Sequence, residues 1–347
     1  MSNLINKYKS WREQLWFKIF SMAFKLALAA LILLVLIAKA DIKIENFAGL
    51  DMRWIAAALL AILLQNFLTA VRWWYLMRSV GVKASLFEAL SLTMQGLFYT
   101  LFIPGGSVSG DVVKAALMAG KSADGSKFAA AFSVLIDRVC GLCGLLLLSF
   151  IAASAVLLLD IAGNGLFKTL LTATAIIAPC ALICAVMAFR CDVILKIKLF
   201  KKLYDFLDKI SKGAIGRIEN ALAAYRPAWK TVLAWTLISG LIAFPLIALA
   251  VWFIAAACPD SGGWSSGSCV AGALLSGSIG ELAGILPLTP GGIGVRDAVF
   301  VEIFKACGLP GGVATQIPVL FTTLFVLASS TGAFFALYML IVKRRKR

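Results

Sequence analysis

Histidine is absent from the 347 residues. That absence excludes His-based catalysis, histidine metal ligands and a histidine pH switch. Charge is also scarce: 14% of residues are Asp, Glu, Lys or Arg, against 61% apolar. No segment has the length or polarity of a separate soluble domain, so 1–347 reads as one integral unit. The eight cysteines lack partner Cys or His at metal-site spacing. Cys140-x-x-Cys143 sits in an apolar run, where cysteine packs as a small hydrophobe. No metal and no cofactor is expected.

What the chain has is apolar length. Mean hydropathy is +0.95, and several uninterrupted apolar runs reach the ~20 residues that cross a bilayer. The expected class is an all-α polytopic membrane protein. Net charge is +16. In a soluble chain this would suggest nucleic acid; here basic cytoplasmic loops explain it, and no nucleic-acid partner is expected.

Two related breaks organise the chain. Ile103 to Lys114 reads IPGGSVSGDVVK, and Leu286 to Ala298 reads LPLTPGGIGVRDA. Pro104-Gly105-Gly106 answers to Pro290-Gly291-Gly292, each followed by a charged helix start. Around them the spans are Phe20 to Ala38, Trp54 to Val71, Phe128 to about Leu159, Leu166 to Phe189, Thr231 to Ala257 and Val313 to Val342. Leu86 to Ile103 with Asp111 to Gly120, and Val270 to Leu288 with Val295 to Lys305, are too short on return to be full crossings. The reading is about six full spans plus two opposed re-entrant hairpins, in half-repeats of about 1–160 and 165–342. An odd number of spans per half inverts the second half, a transporter design.

Most of the 33 basic residues fall on one side of this arrangement, including the closing Lys343-Arg344-Arg345-Lys346-Arg347. Both termini are therefore expected in the cytoplasm of a bacterial inner membrane. Within about 190–230, Leu199, Leu203, Phe206, Leu207 and Ile210 share one helical face, an amphipathic cytoplasmic linker. Ala38-Lys39-Ala40 has the form of a signal-peptidase site, but the run before it nearly fills a bilayer and reads as an uncleaved anchor. Arg72-Trp73-Trp74-Tyr75 reads as an interface anchor. Cys258 and Cys269 flank an external loop and are expected to form a disulfide worth up to ~3 kcal/mol.

The candidate substrate-binding residues are Gly105, Gly106, Asp111, Lys114, Asp137, Arg138, Glu281, Gly291, Gly292, Arg296 and Asp297. A half-helix N-terminus offers N–H groups to a phosphate, and the glycines let backbone approach a ligand. Lys114, Arg138 and Arg296 supply positive charge that Asp111, Asp137, Glu281 and Asp297 can balance. The same charges can instead pair with one another and hold the hairpins shut. Asp111 and Asp297 can equally be helix-start caps. Asp137 is about 100° from Arg138 around a helix and is badly placed to pair with it, which leaves Arg138 for a ligand or for Glu281.

PGGSVSGDVVKAALM, AAFSVLIDRVCGL and PLTPGGIGVRDAVF, in that order, resemble the flippase-like membrane region of the lysylphosphatidylglycerol synthase family. Synthases of that family carry a further cytoplasmic aminoacyl-transferase domain, for which no room remains before Arg347. The resemblance implies lipid translocation without synthesis. The expected partner is a membrane lipid with an anionic headgroup, and no enzymatic activity is expected. The alternatives are a lipid-modifying membrane enzyme, with Asp137 or Glu281 as base, and a regulatory or scaffolding subunit acting through 190–230.

Overall fold

Backbone polar groups in lipid must be bonded within their own segment, and every regular element among the described residues is a helix. The computed structural model describes residues 49–102, 107–121, 127–161, 165–190, 214–259, 267–286 and 288–345. Outside the described residues lie the expected span Phe20 to Ala38, the Pro104-Gly105-Gly106 break and the amphipathic face of Leu199 to Ile210.

In chain order the helices are α1 (Met52–Ser79), α2 (Leu86–Phe102), α3 (Ser107–Lys121), α4 (Lys127–Leu158), α5 (Leu166–Phe189) and α6 (Ala214–Ala223). Then come α7 (Trp229–Ala257), α8 (267–285), α9 (Val295–Ala306) and α10 (Gly311–Arg345). Five of them are long and apolar enough to cross a membrane: α1, α4, α5, α7 and the Gly311–Met339 part of α10. Two helices contain a π turn, Ser239–Ala243 in α7 and Ser276–Gly280 in α8. Pro245 follows the first; a proline crowds the carbonyl four residues before it, and the wider turn accommodates that.

Two boundaries alter the sequence reading. Helix α1 continues past Val71 to Ser79, so Arg72 and Trp73 lie inside a helix and are buried. Arg72 is therefore not the interface anchor its neighbours suggested. Helix α3 is already formed at Ser107, so Asp111 is a turn inside it and does not cap its start.

The chain divides into two compact units. The first comprises Met1–Leu63, Ser91–Lys114 and Ile247–Arg347. Here α2 and α3 pack so closely that a Cβ on Gly110 would strike the Gly96 carbonyl and Thr100. Helices α8 and α9 run antiparallel, with Phe304 over Gly272, Phe300 over Gly280 and Arg296 beside Gly284. Arg296, Phe300 and Phe304 recur every four residues, so one face of α9 fills the row of small residues on α8. The expected Cys258–Cys269 disulfide is not formed: both residues are buried thiols. Cys258 Sγ instead donates to the Ile254 carbonyl at 3.3 Å, which turns it back onto the end of α7.

The second unit comprises Leu64–Leu90 and Ala115–Leu246. Its core includes Leu76, Phe132, Ile136, Cys140 and Tyr225. Trp73 Nε1 donates to Ser133 Oγ at 3.0 Å and ties α1 to α4. Helices α4 and α7 cross at glycine: a Cβ on Gly144 would lie 2.6 Å from Ser239 Cβ and 2.9 Å from the Gly240 nitrogen. Gly144→Val is expected to cost about 1–3 kcal/mol by overpacking. A lowered unfolding midpoint in detergent checks it; an unchanged midpoint would contradict the crossing.

Candidate functional site

Two buried arginines mark the sites. In the second unit Arg72 is 5% exposed. Its Nε donates to Asp137 Oδ1 at 2.7 Å, and a terminal nitrogen donates to Ser239 Oγ at 2.8 Å. Ser239 opens the π turn of α7, and its hydroxyl donates to the Trp235 carbonyl at 2.6 Å. The guanidinium lies over Gly141, where a Cβ would come within 3.1 Å of it. Asp137 is thus paired across 65 positions of sequence with Arg72. Its neighbour Arg138 lies on the exposed face of α4 with Leu135, Val139 and Leu142. The angle that keeps adjacent helical residues apart puts the acid inside and the base outside.

In the first unit Arg296 is 2% exposed. One terminal nitrogen donates to Thr322 Oγ1 at 2.9 Å, and the other stands 3.5 Å from Glu281 Oε1. Its Nε is 3.7 Å from Asp297 Oδ1. The guanidinium carbon is 4.7 Å from the Phe321 ring centre and 4.9 Å from that of Phe325, cation–π distances. Asp297 accepts the Gly294 N–H at 2.8 Å and the Thr322 hydroxyl at 2.7 Å. It therefore caps α9 from within, reaching back from the first turn to the N–H of the N-cap residue Gly294.

The glycines of the second break have a conformational role. Gly291 and Gly292 have φ of 60° and 73°, the left-handed region where a Cβ is strained. A Cβ on Gly292 would also lie 2.7 Å from Gly284 Cα. Gly105 and Gly106 lie outside the described residues. Lys114 is buried on α3 with its stem beside Gly96, and Asp111 is half-buried a turn earlier. Of the sequence-derived residues, Asp111, Lys114, Glu281, Gly291, Gly292, Arg296 and Asp297 lie in the first unit, and Asp137 and Arg138 in the second. Among the described residues no group of three or more Cys, Asp or Glu could hold a metal ion.

The model of one protein family, described as the lysylphosphatidylglycerol synthase TM region, matches residues 22–342. The chain belongs to that family. No curated protein and no solved structure matches it. In this member of the lysylphosphatidylglycerol synthase TM region family, both buried arginines fall inside the matched segment. The residue that sequence reasoning missed is Arg72. Its signal was a charge inside a run that stays helical to Ser79, which the flanking tryptophans and tyrosine disguised as an interface.

Proposed function

We propose that this protein moves an amphipathic, anionic lipid between the leaflets of a bacterial inner membrane, without acting as an enzyme. One observation carries the reading. The end of α2 meets the second break, with Leu101 Cδ2 3.2 Å from where a Cβ on Gly291 would lie. Phe325 touches the same glycine and stacks on Arg296. Broken helices converging on a buried charge cluster within apolar surroundings are the form that transport sites take. On this reading α2–α3 and α8–α9 are re-entrant hairpins entering from opposite faces, the halves form an inverted repeat, and both termini are cytoplasmic.

Arg138, on an apolar helix face, supplies the cation that meets the headgroup. Its guanidinium stays charged and can grip a phosphate through two hydrogen bonds. The test is transport in vesicles holding the purified chain and a fluorescent phosphatidylglycerol. Wild type is expected to move the lipid, and Arg138→Gln to abolish movement while remaining folded and inserted. Normal transport by folded Arg138→Gln would remove Arg138 from the site. Wild-type vesicles no faster than protein-free ones would overturn the reading itself.

A further inference from the structure

Resting on the translocation reading, we propose that Glu281 is a proton-binding site inside the first unit, and that its proton is exchanged as lipid moves. The cluster contains one guanidinium and two carboxylates: Arg296, Glu281 and Asp297. Arginine keeps its charge, so with both acids ionised the cluster is left with a net negative charge among phenyl rings. A lone charge in such surroundings is neutralised rather than tolerated.

The two acids are not equivalent. Asp297 uses both carboxylate oxygens as acceptors, Oδ2 for the Gly294 N–H and Oδ1 for the Thr322 hydroxyl. Glu281 Oε1 is buried with no hydrogen-bond partner. Arg296 Nε, on a residue almost wholly enclosed, also lacks one and is directed at Asp297. The remaining proton therefore belongs on Glu281. Arg296 stands 3.5 Å from that oxygen and would repel a metal cation there. Among the described residues the charged groups facing Glu281 are Arg296 and Asp297, both from α9; α10 brings Thr322, Phe321 and Phe325, none of them ionisable. Glu281 follows the π turn of α8 directly.

Difference infrared spectroscopy of the purified full chain reads the site. Wild type is expected to show a carboxylic-acid carbonyl band at neutral pH that Glu281→Gln lacks and Glu281→Asp shifts. The Asp variant carries the comparison should the Gln variant not fold. A spectrum without that band overturns the inference. In vesicles of phosphatidylethanolamine and phosphatidylglycerol with a fluorescent phosphatidylglycerol, a gradient of about one pH unit should change the leaflet ratio up to about tenfold, the limit for one proton per lipid. Glu281→Gln should lose that response. Transport indifferent to the gradient overturns the coupling and leaves the translocation reading intact. The band without any transport keeps the proton site and overturns the translocation reading instead. A response reproduced by a sodium gradient at constant pH overturns the assignment to a proton.

Discussion

Replacing Arg72 with leucine is expected to destabilise the second unit by about 3–5 kcal/mol, because Asp137 would be left as a buried carboxylate without its cation. Ser239 would lose its donor as well, though it keeps its own bond to Trp235. The double variant Arg72→Leu/Asp137→Leu removes the charge together with its partner and should recover most of that loss. Unfolding midpoints in detergent measure both. A double variant as unstable as the single one would show that packing around the guanidinium, as at Gly141, matters more than charge. If the double variant is stable yet moves no lipid, the pair takes part in transport; if it transports normally, the pair is structural.

The helices were legible because lipid leaves a chain few choices. Leu166 to Phe189 and the ends of Thr231 to Ala257 and Val270 to Leu288 came through within a few residues, since apolar length is itself the signal. The cap of α9 was legible too, because Gly294 and Asp297 are three positions apart and the interaction is local. Charge pairing was not. The Asp137-Arg138 adjacency drew attention to Arg138, whereas the cation that meets Asp137 is Arg72, on another helix. Glu281, weighed as a partner for Arg138, pairs with Arg296 through the antiparallel packing of α8 on α9. Such contacts depend on which helix faces meet, and one sequence does not say that. Cys258 and Cys269 failed for a related reason: loop length permitted a disulfide, but the Cys258 thiol, just past the end of α7, turns back to the Ile254 carbonyl.

Asp297 carries the sharpest test of the first unit. Asp297→Ala removes three interactions together: the cap on Gly294, the acceptor of the Thr322 hydroxyl and one of the two carboxylates beside Arg296. The expected loss is about 1–3 kcal/mol for leaving the buried Thr322 hydroxyl without its acceptor, with roughly 1 kcal/mol more from the cap. Asp297→Asn separates the parts, because the amide oxygen can still accept the Gly294 N–H while the NH2 cannot accept the Thr322 hydroxyl. Its destabilisation should be smaller than that of the alanine variant, and the α9 start should remain ordered. The charge count changes even so. With one guanidinium and one carboxylate the cluster is neutral without a proton, so Glu281 should ionise against Arg296 and the carboxylic-acid band should vanish. An Asn variant that keeps the band would mean that burial alone holds the proton on Glu281. In that case Arg296, despite standing 3.5 Å away, does not govern it.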